Sequence, residues 1–348
     1  MNESAITLSI CIPTFNRCRL LRHALTAVVP QVHAAQGSVE LLILDNHSTD
    51  DTPLVASKFQ TSKSMRYIQN SENIGAVRNV LRCVEQAQGQ FVWIIGDDDL
   101  VREDTVTRVL SVIHSRPDVD YVYVNVSTQP LSACDALGRP PTGRDFALLP
   151  AICSDLSEHG LQKWEELIDP DVNGVFLGSI MSSVFRRSLW LSVARNIDVS
   201  GPFGSSLETV YPHVCVLTRC MVGRPVYYLG YPCVVAFQGH QEWLDHYPAI
   251  LVVTLHEMLD MYLQFQVSPE RIDRCRRHLL LNSGVALMQL LLYRKCPGRD
   301  RLFFIKHLQH YWRYREFWRG LAVPLLRRAR RGFRGRRPGQ AKAAPHTD

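Results

Sequence analysis

Three carboxylates in a row, Asp97, Asp98 and Asp99, follow the apolar run at 90–95 and one glycine, Gly96. Adjacent carboxylates at the end of an apolar strand repel one another, and a divalent cation relieves that repulsion most readily. Hard oxygen ligands select Mg2+ or Mn2+, and a shell only partly filled by protein leaves room for the oxygens of a diphosphate. Three further polar clusters also follow apolar runs: Pro13-Thr14-Phe15-Asn16-Arg17, Asp45-Asn46-His47-Ser48-Thr49-Asp50-Asp51, and Asn70-Ser71-Glu72-Asn73-Ile74-Gly75. Helices starting near 75 and 102 would turn backbone N–H groups toward the same anion. A plainer reading stands beside this one, in which Asp98 or Asp99 caps the helix near 102 and residues 45–51 form an Asx turn with an N-cap. Four such clusters at successive strand ends favour a site.

The elements that must hold these residues alternate. Strands are expected at 6–12, 39–45, 65–69, 90–95 and 120–127, and helices near 17–34, 51–60, 75–87 and 102–115, with Pro13 ending the first strand and Gly89 the third helix. That alternation predicts a layered α/β unit with a mostly parallel sheet, whose ligands sit beyond the carboxyl ends of the strands. From 128 to 174 the period is lost in a long excursion. Order returns with a strand and short helix over 175–196, a helix at 206–221, and a strand pair over 225–237 broken at Gly230-Tyr231-Pro232. Beyond 247 the chain reads as helical, in the runs 248–265, 268–294 and 299–320.

Composition narrows the class. In 348 residues, 46% are apolar and 21% charged, which excludes a disordered or collagen-like chain. The ten cysteines include no Cys-x-x-Cys pair, so a structural zinc site is not expected, and several interrupt apolar runs as buried thiols would in a reducing compartment. The start lacks a basic and then apolar leader, and no stretch reaches the roughly 20 uncharged apolar residues of a spanning helix. A cytoplasmic location is expected. Net charge is +6, but residues 301–348 hold 13 Lys and Arg against Glu316 and Asp348, a net of +11.

The ordered strings Ser-Ile-Cys-Ile-Pro-Thr-Phe-Asn-Arg, Leu-Leu-Ile-Leu-Asp-Asn-His-Ser-Thr-Asp-Asp-Thr, Asn-Ile-Gly-Ala-Val-Arg-Asn and Ile-Gly-Asp-Asp-Asp-Leu resemble the family 2 glycosyltransferases. The closest flavour is the abequosyltransferase-like branch of O-antigen and polysaccharide assembly, and the match covers roughly residues 6 to 127. The resemblance implies a GT-A fold, Rossmann-like with helices flanking the sheet, and a helical C-terminal extension. Together with the helical and basic patterns further along, it divides the chain into 1–245 (a nucleotide-binding half, 1–127, and an acceptor half, 128–245), a helical region 246–320 and a basic tail 321–348. It implies inverting, metal-dependent transfer from a nucleotide-sugar donor to a saccharide acceptor, often lipid-linked. Pro13, Thr14, Asn16, Arg17 and Asp45 would hold the nucleotide, with Asp45 on the base, while Asn73, Gly75 and Arg78 would line ribose and diphosphate. Asp97, Asp98 and Asp99 would stand for the metal-holding Asp-x-Asp element, with Asp97 and Asp98 also near the donor. Gly96 departs from members that read Asp-x-Asp-Asp, which leaves open which two aspartates take the metal. Glu208 in Gly204-Ser205-Ser206-Leu207-Glu208 matches the downstream general base, with Asp198 in reserve, although a first-turn carboxylate also suits a helix dipole. His240 and Trp243 fall in the segment that resembles the closing loop.

Residues 301–337 interleave Trp312, Tyr314, Phe317, Trp318, Leu325, Leu326 and Phe333 with ten arginines from Arg313 to Arg337. That mixture predicts a peripheral position on the anionic inner face of the cytoplasmic membrane. A solvated basic tail is the alternative. No nucleic-acid partner is expected, since the rest of the chain is acidic and lacks a binding motif. Neither G-x-G-x-x-G nor G-x-x-x-x-G-K-[ST] occurs, which excludes the usual nicotinamide and P-loop enzymes. An inactive relative that binds a nucleotide sugar or scaffolds a membrane complex is the competing reading from another class.

Overall fold

Seven consecutive buried residues, Val-Glu-Leu-Leu-Ile-Leu-Asp at Val39–Asp45, require cover on both faces of a strand. The chain supplies it on alternate sides. In the computed structural model the described residues are 6–60, 62–146, 149–150, 159–161, 163–239, 241–292, 297 and 311–322, with backbone alone for 159–161 and Glu242. In order they form β1 (Leu8–Thr14), α1 (Cys18–Ala34), β2 (Val39–Asp45), α2 (Thr52–Phe59), β3 (Met65–Gln69), α3 (Ala76–Gln86), β4 (Phe91–Ile94), β5 (Asp99–Val101) and α4 (Thr105–Ser115). There follow β6 (Tyr121–Pro130), α5 (Leu131–Asp135), β7 (His159–Leu161), β8 (Ser183–Arg186), α6 (Arg187–Val193), α7 (Leu207–Val210), α8 (Pro212–Met221) and β9 (Val226–Gln238). The last helices are α9 (Tyr247–Ala249), α10 (Leu255–Gln264), α11 (Pro269–Asn282) and α12 (Gly284–Leu292), with a π turn at Ile250–Thr254.

One sheet runs β3-β2-β1-β4-β8-β6-β9-β5, with β7 also on β9. Strands β1 to β4 pair in parallel, β8 is antiparallel to β4 and β6, and β9 is parallel to β6. The period of two sorts β2: Leu41 and Ile43 join α1 and α4 on one face, whereas Leu42 and Leu44 join α3, α6, α8, α10 and α11 on the other. Helix α1 presents Leu21, Ala24, Leu25, Val28 and Val32 to the first face, the spacing of one helical stripe. Each such fully buried aliphatic side chain contributes about 2 kcal/mol.

The expected strands and helices of the first 127 residues are present with two differences, and two more follow further along the chain. Pro13 does not end β1, which runs on to Thr14 beside Asp45. The carbonyl of Cys11 points toward the β4 side, so Pro13, two residues on, lacks its N–H where β4 has already left the pairing. Asp99 itself starts a short strand, β5, paired antiparallel with Val234–Ala236. The expected strand pair over 225–237 is one strand, β9, with register shifts opposite Gly230-Tyr231-Pro232. The helix expected at 206–221 is divided at Tyr211, where Pro212 opens α8.

Candidate functional site

The carboxyl ends of β1 and β4 are neighbours, and that adjacency brings Thr14 and Arg17 onto the triple aspartate. The Thr14 hydroxyl donates to Asp97 Oδ2 at 2.8 Å, and Arg17 donates to Asp97 Oδ1 at 3.2 Å while lying 3.7 Å from Asp98 Oδ2. The Gly96 amide donates to Asp99 Oδ2 at 2.7 Å. Burial, and then the charge of Asp98, push the Asp97 carboxyl up to about 7, against the opposing pull of Arg17 and Thr14. Burial and Asp98 also hold Asp99 well above the usual carboxylate range. Gly96 has a steric reason: a Cβ there would come within 2.3 Å of Asp98 Oδ1 and 3.0 Å of Asp99 Oδ2. The aspartates line a shallow cleft with Leu20, His23 and Ala24 of α1, Leu100 of β5 and Phe237 at the end of β9.

The ends of β2 and β3 form a second group, built mostly of asparagine. Asp45 is fully buried and accepts four hydrogen bonds: Ser48 N (2.9 Å) and Ser48 Oγ (2.6 Å) on Oδ1, Tyr67 Oη (2.5 Å) and Gln69 Nε2 (3.2 Å) on Oδ2. These fill the lone-pair positions of one carboxylate. Burial, then the bond to Asp45, raise the Tyr67 phenol far above its ordinary pKa, so it stays a donor. Asn46 donates to Asn73 Oδ1 at 2.7 Å, Asn70 donates to Asn46 and to Asn79, and Asn79 donates to the Leu44 carbonyl. Asn73 Oδ1 in turn takes the amide of Gly75, whose φ of +86° only glycine adopts readily and from which α3 departs. Asn16, at a left-handed φ of +52°, accepts from the Thr49 amide at 2.8 Å and so ties the β1 loop to the β2 loop.

The structure therefore brings Thr14, Arg17, Asp97 and Asp98 together, and sets Pro13, Asn16, Asp45, Asn73 and Gly75 around the same strand ends as framework. Arg78 is exposed in the first turn of α3 and forms no ion pair among the described residues. Sequence reasoning gave no role to the buried Asn46, Asn70 and Asn79 or to His23. Asparagine directly after apolar strands was the available signal for the first two.

Glu208 is half-buried at the second position of α7. Capping falls to Ser206 and Thr209, which bond each other's backbone amides, and among the described residues Glu208 has neither a hydrogen bond nor an ion pair. Asp198 is exposed and closes a turn on the Ser200 amide at 3.0 Å. Trp243 is 41% exposed, its ring 5.7 Å from that of Tyr247. His240, residues 301–310 and residues 323–348 lie outside the described residues.

The family model described as "Glycosyl transferase family 2" matches residues 9–132. The abequosyltransferase RfbV of Salmonella typhimurium is 32% identical over 242 residues, 66% of this chain and 66% of that protein. The chain belongs to glycosyltransferase family 2. A PGL/p-HBAD biosynthesis glycosyltransferase of Mycobacterium bovis is 32% identical over 120 residues, 34% of this chain and 46% of the relative. The GalNAc(5)-diNAcBac-PP-undecaprenol beta-1,3-glucosyltransferase of Campylobacter jejuni is 29% identical over 34% of this chain and 36% of that one. The chain thus spans about two thirds of one of these relatives and less than half of the other two. In fold it resembles the crystal structure of S. aureus TarS 1–349, with a TM-score of 0.52 at 13% identity over 88% of this chain and 77% of that one.

Family membership raises the question of a divalent cation. Among the described residues no three His, Cys, Asp or Glu side chains converge as a ready metal centre. The aspartates are also unequal, since Asp97 is held by Thr14 and Arg17, Asp99 is 3% exposed, and the Asp98 side chain is the more accessible at 17%. Crowded, desolvated carboxylates of this kind fit a cation held by one or two carboxylates and completed by phosphate oxygens and water.

Proposed function

We propose that the chain transfers a sugar, with inversion, from a nucleotide-sugar donor to a lipid-linked saccharide acceptor in cell-surface polysaccharide synthesis. The observation that carries this reading is the convergence of Thr14, Arg17, Asp97 and Asp98 where two parallel strands end. Such a site suits an anion shielded by a cation, and the leaving group of sugar transfer is a nucleoside diphosphate. Named relatives support the class: one is an abequosyltransferase and another a glucosyltransferase named for an undecaprenol-linked acceptor.

Asp98, with Asp97, would hold Mg2+ or Mn2+, which would supply charge neutralisation at the diphosphate. Arg17 and Arg78 face the charge that builds on the leaving phosphate, and the α3 amides opened by Gly75 add to them. Glu208 takes the proton of the acceptor hydroxyl as its oxygen bonds to the anomeric carbon and the bond to the diphosphate oxygen breaks. Glu208 is preferred to Asp198 because its carboxylate is uncommitted, whereas Asp198 is spent on its own turn. The basic C-terminal tail would keep the protein at the inner face of the cytoplasmic membrane, beside such acceptors. The test is transfer from a panel of UDP, GDP, CDP and dTDP sugars with Mn2+ or Mg2+, comparing the wild type with Asp98→Ala and Glu208→Gln. Donor binding without turnover under any pairing would refute the enzyme reading.

A further inference from the structure

Within residues 311–322 the inward side chains are all accounted for. Tyr311 is 2% exposed with its ring 4.3 Å from His256, and the Arg277 guanidinium lies 5.2 Å over the Tyr314 ring. Phe317 and Leu321 pack on the cluster that includes Val252, Val253 and Leu287. The helical stretch 315–322 crosses α11 and α12 backbone to backbone. A Cβ at Gly284 would lie 2.0 Å from the Gly320 carbonyl oxygen, and one at Gly320 would lie 2.4 Å from that of Leu280. That crossing fixes which way the segment faces.

The outward side chains are the unexplained ones. Trp312 and Trp318 are 59% and 57% exposed, joined by an indole N–H of Trp318 donating to the Trp312 carbonyl at 2.9 Å. Arg313, Arg315 and Arg319 are exposed between and beside them and form no ion pair among the described residues. Next to the crossing, Leu281, Val285 and Leu292 are 43%, 53% and 61% exposed. The one carboxylate of the segment, Glu316, is paired with Arg277; tryptophan with arginines left unpaired suits the boundary between lipid headgroups and acyl chains, and no helix among the described residues is long and apolar enough to cross a membrane.

We infer that this face, and not only the basic tail, is the membrane-docking surface, seating Trp312, Trp318 and the α11–α12 leucine edge in the headgroup layer of an anionic bilayer. Arg313, Arg315 and Arg319 then meet lipid phosphates. A second copy of the chain is the poorer occupant, because the two faces would each bring the same uncompensated positive charge. The inference deepens the proposed function, since it places the site beside lipid-linked acceptors, but docking needs no turnover.

The experiment uses the full chain and vesicles of phosphatidylcholine with or without phosphatidylglycerol, read by co-sedimentation and by quenching of tryptophan fluorescence with brominated acyl chains. Quenching of the wild type by the anionic vesicles is expected. Loss of affinity by at least about tenfold, equivalent to about 1.4 kcal/mol, is expected for Val285→Glu with Leu292→Glu. A chain ending at residue 322 should retain vesicle-dependent quenching. Unquenched tryptophans, binding that survives the double substitution but vanishes with residues 323–348, or a concentration-dependent dimer abolished by Val285→Glu would each overturn the inference. Thermal unfolding of the variants shows that the substituted surface still folds. Vesicle binding by a chain that transfers sugar to neither a soluble nor a lipid-linked acceptor from any donor would sink the proposed function and leave the docking face standing.

Discussion

Removal of the Asp45 carboxylate tests whether this residue frames the site or reads the nucleotide base. Its four donors leave no lone pair for a ligand, so Asp45→Ala strands the Ser48 amide and hydroxyl in a buried place. The partly exposed Tyr67 and Gln69 can turn to water. A hydrogen bond to a charged acceptor contributes about 1.5–3 kcal/mol, and the four do not add, which gives a loss of about 3–5 kcal/mol for Asp45→Ala. Asp45→Asn keeps an acceptor for Ser48 and presents an amide to Tyr67, whose phenol can reverse, so about 1–2 kcal/mol is expected. Urea unfolding should show the midpoint falling in that order with an unchanged slope. If Asp45→Ala unfolds within about 1 kcal/mol of wild type, or if Asp45→Asn keeps full stability yet loses nucleotide affinity by about a hundredfold, the framework argument fails and base reading is restored.

Further outcomes follow from the same geometry. Asp98→Ala should lower transfer by about a hundredfold or more with little change in thermal unfolding, since that side chain is the most accessible of the three. Chelation should abolish transfer by the wild type and added Mn2+ or Mg2+ restore it; activity that persists in excess chelator would exclude the metal. Glu208→Gln should lower kcat by about 10²–10⁴-fold with KM and unfolding temperature nearly unchanged, and a wild-type kcat would return Glu208 to a merely structural place in α7. His213 is buried, and that burial holds its pKa down to about 4 from an ordinary 6.5. A group kept neutral in the folded state contributes stability that is complete above pH 6.5 and lost as pH falls toward 4. About 3 kcal/mol should disappear across that window in the wild type but not in His213→Gln, as urea midpoints would show. Gly320→Ala forces a methyl group against the Leu280 carbonyl and should loosen residues 311–322, seen as faster proteolysis after residue 292.

The first 127 residues were legible because their signals are local. Strands β2 and β3 begin and end where the apolar runs do, and β1, β2 and β3 each hand over to a polar cluster at the strand end. What stayed hidden depends on partners distant in sequence. Asp99 becomes a strand residue only because Ala236 arrives beside it from β9. The service of Asn79 to the Leu44 carbonyl, and the approach of His23 to the aspartates, arise from packing across 35 and more than 70 positions of chain. The carboxylate of Asp45 was visible in the sequence, but not its donors Tyr67 and Gln69, which reach it from one face of the edge strand β3.

The glycine before the aspartates sets what it would cost this chain to open the motif on an acidic residue instead. Carboxylate oxygens of Asp98 and Asp99 lie where a side chain at position 96 would begin, so an acidic residue there would require those carboxylates to swing away.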